Sequence, residues 1–327
     1  MQNSKIGWIP FFNLHPMRCE LRKDSFPHLQ SGLPVEVNQM LHRGEVPLAP
    51  CSSVCLLTSP GNEIAMPIGV TTRGAADSVY WGLSDENAVW DQVVEERILV
   101  LRGLFSDVRA RHGSDARFMG PELWKKVREL PPIQMPRPRL VLTPASAASA
   151  MLSKILYEMI FGYELDDLPR EKPGRQLELL IGDEAMRKKP QFRSVLDLGE
   201  LWFRITQLPF VFAVWQSRGV VQHSWKQRIF EAAEKAEARM TIEPAYYYPD
   251  MMPLDQTYQP LDLARYWKKI RYRLGAEELQ GLMLYLCLVR SRFANLSTDA
   301  TAIKLMKWQE LSTRVAQKHH LNASSLN

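Results

Sequence analysis

The chain has 327 residues, enough for two lobes of roughly 100–200 residues each and too many for one simple core. Its composition, 46% hydrophobic and 24% charged, is that of a globular enzyme and excludes extended disorder, the tail at 322–327 apart. The net charge of +5 is spread along the chain, with basic residues interleaved with acids as over 231–239. A run that would track a phosphate backbone is missing, so no nucleic-acid partner is expected.

The first part of the chain reads as alternating strands and helices. Residues 6–12 predict a strand, and 34–42 a helix ended by Gly44. Residues 46–49 open a second strand, with Pro50-Cys51-Ser52-Ser53 as the loop after it. Residues 68–71 and 78–83 read as strands joined by a turn at Arg73-Gly74. Short apolar runs between helical segments predict a mostly parallel sheet. Residues 87–138 are rich in charge and end in Pro131, Pro132, Pro136 and Pro138, which predicts a helix or two and then an extended linker.

A strand at 139–142 then runs into a helix over 147–161, with Met151, Ile155 and Met159 on its apolar face and Gly162 ending it. Residues 169–175 read as a loop, 177–181 as a strand, 198–205 as a short helix and 210–215 as a strand. The last third is mainly helical, over 225–240, 261–273 and 276–294, with a proline-rich loop at 246–260.

Four cysteines are present, and only Cys51 and Cys55 are close in sequence. Zinc sites need more ligands at fixed spacing than these supply, so buried free thiols in a reducing compartment are expected. The start of the chain lacks the sustained apolar core and small-residue cleavage site of a secretory signal. The most apolar stretches, 208–215 and 282–289, are too short to cross a bilayer. A cytoplasmic protein with no membrane partner is the expectation.

The sequence has no Gly-x-Gly-x-x-Gly, no P-loop, no His-Glu-x-x-His and no Gly-x-Ser-x-Gly. Small hydroxyl residues at strand ends stand out instead. Ser52 and Ser53 follow one strand, while Thr143 and Ser146 follow another at the start of a helix. Ligands of open α/β sheets bind beyond the carboxyl ends of strands, and a helix N-terminus favours a carboxylate. Plain helix capping is the other reading of Thr143 to Ser149, and the pattern alone favours it. Asn13 is a candidate amide donor to a ligand or a turn residue. Asp183 is a candidate for holding loop backbone or a ligand hydroxyl.

The segments Ile6-Gly7-Trp8-Ile9-Pro10-Phe11-Phe12-Asn13, Gly44-Glu45-Val46 and Ala49-Pro50-Cys51-Ser52-Ser53 resemble the opening of the chorismate dehydratase family, which acts in the futalosine route to menaquinone. Ser78-Val79, Leu142-Thr143 with Ser146, and Ile181-Gly182-Asp183-Glu184-Ala185 continue the resemblance. Asp197-Leu198-Gly199-Glu200-Leu201-Trp202 and the run from Leu208-Pro209 to Trp215 are its most distinctive pieces. Residues 266–274 and 278–282 are similar to the family's C-terminal helices. Only about 87–138 falls outside it.

The resemblance implies an α/β, two-lobed fold like that of type II periplasmic binding proteins, with crossover strands near 78–83 and 210–215. The first lobe would be 1–83 with 208–327, the C-terminal helices returning to it. The second would be 84–207, including an atypical insertion at about 101–138. It also implies a hydro-lyase that converts chorismate to 3-[(1-carboxyvinyl)oxy]benzoate without redox cofactor or metal. Asn13 would orient the substrate and Ser78 would hydrogen-bond the reacting region, while Ser52, Ser53, Thr143, Ser146 and Asp183 would bind substrate.

Two departures mark this chain. The family usually has Asp where Pro47 stands, and Gly-x-Val before the serine where Gly74-Ala75-Ala76-Asp77 stands. Two alternatives stay open. One is the dihydroxynaphthoate-releasing sister enzyme, whose usual opening is Cys-Pro-Asn-Asp where this chain has Phe11-Phe12-Asn13-Leu14. The other is a non-catalytic carboxylate-binding protein on the same fold.

Overall fold

The computed structural model describes residues 5–21, 28–83, 88–113, 115–135, 137–165, 176–249 and 260–293. The expected loop at 169–175, the expected disordered tail at 322–327 and most of the proline-rich loop at 246–260 lie outside these residues.

The elements run β1 (Lys5–Trp8), α1 (His15–Leu21), β2 (His28–Ser31), α2 (Pro34–His42), β3 (Leu48–Ser52), α3 (Cys55–Thr58), β4 (Glu63–Thr72) and β5 (Val79–Leu83). Then come α4 (Ala88–His112), α5 (Ala116–Glu129), β6 (Arg139–Val141), α6 (Ala147–Phe161), β7 (Gln176–Ile181), α7 (Gly182–Lys188), β8 (Ser194–Asp197) and α8 (Leu198–Thr206). The chain continues through β9 (Phe210–Ser217), α9 (His223–Ile242), α10 (Pro260–Trp267), β10 (Ile270–Arg273) and α11 (Ala276–Arg292).

Two four-stranded sheets result, in the orders β10-β4-β9-β3 and β6-β7-β5-β8, and β1 pairs with β2 beside β3. The pairing is mainly antiparallel, against the parallel expectation. Only β1 with β2 and β6 with β7 run parallel. The cause is the double crossover. The chain leaves the first sheet after β4 and returns to it as β9, which pairs antiparallel with both β3 and β4. On entering the second sheet, β5 takes a central place between β7 and β8 and is antiparallel to both.

The sheets therefore change over at residues 73–78 and again at 207–209. The strand expected to close the first lobe at residue 83 lies wholly in the second sheet. Its five residues are all buried, as are most of β9, so each reads from sequence as an interior strand of either lobe.

Two further expectations give way. Residues 261–273, expected as one helix, break after Trp267 and end in β10. There the burial alternates, Ile270 and Tyr272 inward and Arg271 and Arg273 outward, which is the two-residue period of a sheet edge. Pro50 to Ser52, expected as loop, belongs to β3, an edge strand where proline removes no ladder bond the sheet needs.

Two cores form, and the second extends to α3 and β9 of the first lobe through Leu56, Phe210 and Val214. Trp8, Met17, Trp215 and Trp267 fill the first, with α9 and α10 covering it. Trp81, Phe105, Leu152 and Trp202 fill the second. The last helix does not follow its predecessors to the first lobe. Leu282, Tyr285 and Leu286 of α11 join the second core, and α11 lies along α5. Residues 101–138 are thus the end of α4, all of α5 and an extended stretch, with α5 forming the bed for the C-terminal helix. All four cysteines are buried free thiols, as expected. Among the described residues no helix is long and apolar enough to cross a membrane.

Gly281 lets α11 approach the second crossover. A Cβ at this position would stand 2.1 Å from the Pro209 carbonyl oxygen, a backbone atom that cannot swing away. Gly281→Ala is expected to destabilise the protein by about 2 kcal/mol, read as a lower urea midpoint. A midpoint equal to the wild type's would show that α11 is not seated against Pro209.

Candidate active site

The crossovers bring the ends of both sheets against one cleft, which encloses about 600 Å³ of space with the open solvent at its mouth included. Asn13 and Ser52 reach it from the first lobe, Ser146 and Ser149 from the second, and Ser78 from the crossover between them. Phe11, Val70 and Phe212 supply apolar walls. None of its described lining residues is ionisable.

The loop carrying Asn13 follows β1, which ends at Trp8 rather than running on to the expected residue 12, and it is tied from several directions. Leu14 N–H donates to the Phe11 carbonyl at 3.0 Å. The indole of Trp267 donates to the Phe12 carbonyl at 2.8 Å, and the Tyr272 hydroxyl to the Asn13 carbonyl at 2.7 Å. The backbone is committed, but the Asn13 side chain is not. Its Oδ1 is buried with no hydrogen-bond partner among the described residues. Such an atom costs about 1–3 kcal/mol unless something donates to it. A ligand hydroxyl in the cleft would relieve that cost.

Ser78 stands at the end of the first crossover, buried, one residue before β5. Asp197 organises this crossover from the second lobe. Its Oδ1 accepts from Ala76 N–H at 2.9 Å and Glu200 N–H at 3.1 Å, and its Oδ2 accepts from Asp77 N–H at 2.7 Å. One carboxylate therefore caps α8 and fixes the two residues before Ser78. Asp77 sits at φ 56°, in the left-handed region, where Asp is tolerated better than most residues. Its side chain meets Lys269 of the first lobe at 2.5 Å and Lys189 of the second at 3.8 Å. The Ser78 hydroxyl lies 3.1 Å from the buried Tyr266 hydroxyl and 3.4 Å from the Ala76 carbonyl.

Four of the seven expected site residues meet in the cleft: Asn13, Ser52, Ser78 and Ser146. Ser52 Oγ accepts from the Asn38 amide at 3.2 Å, which leaves its own proton for an acceptor in the cleft. Ser146 is the N-cap of α6, accepting from Ser149 N–H at 3.3 Å and donating to Ser149 Oγ at 3.1 Å. Capping and cleft lining are one arrangement here. The start of a 15-residue helix opens onto the ligand space.

The other three are not part of the lining. Ser53 is fully buried behind it, its N–H given to the Phe212 carbonyl at 3.0 Å. Thr143 Oγ1 accepts from Ala145 N–H at 3.2 Å within the turn before α6. Asp183 Oδ1 accepts from Phe12 N–H at 3.1 Å, a bond between the lobes that braces the Asn13 loop. Gly182 beside it does line the cleft. At φ 60°, with Phe11 2.9 Å from where a Cβ would be, it leaves room for the aromatic wall.

Two residues escaped the sequence reading. Ser149 lies three positions after Ser146, on the same helix face, and that spacing was a usable signal. Tyr266 comes from 188 residues beyond Ser78, and no local signal joins them. Of the two departures from the family pattern, Ala76 lines the cleft, whereas Pro47 lies outside it with its carbonyl accepting from Arg218 N–H.

Residues 108–291 match a family model described as menaquinone biosynthesis. The chain belongs to the menaquinone biosynthesis family. The matched range holds Ser146, Ser149, Asp197 and Tyr266, and it begins inside the segment expected to be an insertion. Among solved structures, an ABC transporter protein from Parabacteroides distasonis is similar, with TM-score 0.52, 11% identity, and 91% of this chain and 97% of that one covered. The ligand-binding component of an ABC-type import system from Staphylococcus aureus, solved with zinc bound, has TM-score 0.48 and 12% identity, covering 90% and 93%. A Candida albicans protein described as having the generic periplasmic binding protein fold has TM-score 0.48 and 9% identity, covering 92% and 94%. The likeness concerns fold alone. This member of the family has the expected two-lobed α/β fold, shared with the Parabacteroides distasonis protein.

Proposed function

We propose that this member of the menaquinone biosynthesis family is a hydro-lyase that dehydrates chorismate to 3-[(1-carboxyvinyl)oxy]benzoate. The observation that carries this reading is the cleft: hydroxyl groups from both lobes and the Asn13 amide from the first, apolar walls that include Phe11 and Phe212, and no ionisable residue among its described lining.

A dianionic, ring-shaped substrate suits such a site. Ser146 and Ser149 at the start of α6 would hold one carboxylate, aided by the backbone N–H groups of the helix end. Ser52 would hold the other through its uncommitted proton. Phe11 and Phe212 would flank the ring. Asn13 Oδ1 would accept from the C4 hydroxyl and so fix the face the substrate presents.

The reaction removes the proton on C3 and the hydroxyl on C4. The C–H electron pair becomes the new ring double bond, the C4–O bond breaks, and proton and hydroxide leave as one water. Aromatisation drives the step, so atoms and electrons balance without a co-reactant. With no ionisable side chain among the described lining, we assign the base to a carboxylate of the substrate itself. Ser78 would donate to the departing oxygen, where negative charge develops in the transition state. A cytoplasmic setting belongs to this reading, supported by the four buried free thiols.

Purified protein incubated with chorismate alone is expected to yield an aromatic product lighter by one water, identified by mass and by new ring absorbance. Unchanged chorismate after long incubation with folded protein would sink the proposal.

A further inference from the structure

We infer that Tyr266 is a positioning residue, whose phenol holds Ser78 as a hydrogen-bond donor aimed into the cleft. The inference rests on the proposed dehydration and adds to it a residue and a direction for the serine proton.

Tyr266 is buried on α10 of the first lobe. Its hydroxyl lies 3.1 Å from Ser78 Oγ, and Ser78 is its only hydrogen-bond partner among the described residues. Burial holds the phenol well above its ordinary pKa, so it remains a neutral O–H over the whole working range. A buried phenol O–H gives its proton to the acceptor at hand, which is Ser78 Oγ. The serine proton must then point elsewhere. Among the described residues it finds only the Ala76 carbonyl at 3.4 Å, at the limit of a useful bond. An oxygen in the cleft at ordinary distance would win it.

Accepting from Tyr266 also polarises the serine O–H and makes it the better donor. This is what a departing C4 hydroxide requires, and the opposite of what a serine acting as base would need. The bond also joins the lobes. Tyr266 lies in the first, Ser78 opens the second, and the Lys269–Asp77 pair beside them spans the same junction. The serine is therefore aimed only when the lobes stand at this separation.

Tyr266→Phe keeps the ring and removes the donor. It is expected to lower kcat for chorismate 10- to 100-fold, roughly the scale of one hydrogen bond acting on charge in the transition state, with KM within about threefold. In the Ser78→Ala background the same change should cost nothing further, because the group it orients is gone. A purely structural role would raise KM and add its loss to that of Ser78→Ala. Either an unchanged kcat or additive losses would overturn the inference while the wild type still turns over chorismate. No turnover by the wild type would remove both the dehydration reading and this one. If Tyr266→Phe does not fold, a polyfluorinated tyrosine at 266 keeps the shape and lowers the phenol pKa. A fall in kcat at alkaline pH should then appear where the wild type shows none, and a kcat that follows the wild type's while the fluorinated phenol is seen to ionise by its absorbance would overturn the assignment.

Discussion

Ser78→Ala is expected to lower kcat for chorismate dehydration by about a hundredfold or more, with KM within about threefold of the wild type. Alanine removes one oxygen from a site that is 4% exposed, so no space opens for a new contact. The carboxylate-holding groups at Ser52, Ser146 and Ser149 are untouched, and ground-state binding should persist. What is lost is the donor facing the C4 oxygen, whose demand grows only as the C–O bond breaks. Interactions stronger in the transition state than in the ground state are the ones that appear in kcat.

The same change leaves the Tyr266 phenol without its acceptor, a buried unpaired donor worth about 1–3 kcal/mol of lost stability. Kinetics and thermal unfolding therefore have to be read on the same preparation. A folded Ser78→Ala protein with wild-type kcat would remove Ser78 from the reacting centre. A protein with a raised KM and unchanged kcat would make it a binding group.

Much of the local structure is legible along the chain. The helix Ala147–Phe161 announces itself through its apolar period, the serine that caps it and the glycine that ends it at φ 74°. The long-range arrangement is not. β5 and β9 are short apolar runs of the same character, and nothing in their residues says which sheet receives them or in which direction. The two-residue alternation at Ile270–Arg273 lasts four residues, too few to outweigh the helical run before it.

The site divides in the same way. Hydroxyls at strand ends marked Ser52 and Ser146 from residue type and position alone. Asn13 is open between a ligand donor and a turn residue, and Ser78 draws attention only through resemblance to a family. The groups that hold them, Tyr266, Trp267 and Tyr272, lie 188 to 259 residues away in sequence. One short stretch of the C-terminal part, α10 with β10, thus fixes the hydroxyl of one proposed catalytic residue and the backbone of the other. Sequence order hides this because the chain must cross twice between lobes before it returns.

Asp197→Ala is expected to destabilise the protein by about 2–4 kcal/mol, the loss of a helix cap together with two further charge-assisted bonds. It should also lower kcat about tenfold, because Ala76 and Asp77 would no longer be held and Ser78 would lose its fixed approach. The carboxylate has a pH signature of its own. Burial pushes it up to about 6; the three backbone N–H bonds oppose this, and the nearby Asp77 charge adds to it. The folded protein therefore holds this proton more tightly than the unfolded chain, whose aspartates titrate near about 3.9. The part of the stability linked to this proton is fully present below about pH 4 and is lost as the pH rises through about 6, while the three N–H bonds persist.

Asp197→Asn separates the two effects. Its amide oxygen can still accept from Ala76 and Glu200, but its NH₂ group faces the Asp77 N–H, donor against donor. Turnover should fall, and the decline in stability between about pH 4 and pH 7 should flatten, because no proton is bound or released at this position. Urea unfolding across that range measures the slope, with chorismate turnover followed on the same samples. A slope identical to the wild type's would mean that Asp197 is ionised throughout. The three N–H bonds would then outweigh the cost of burying its charge.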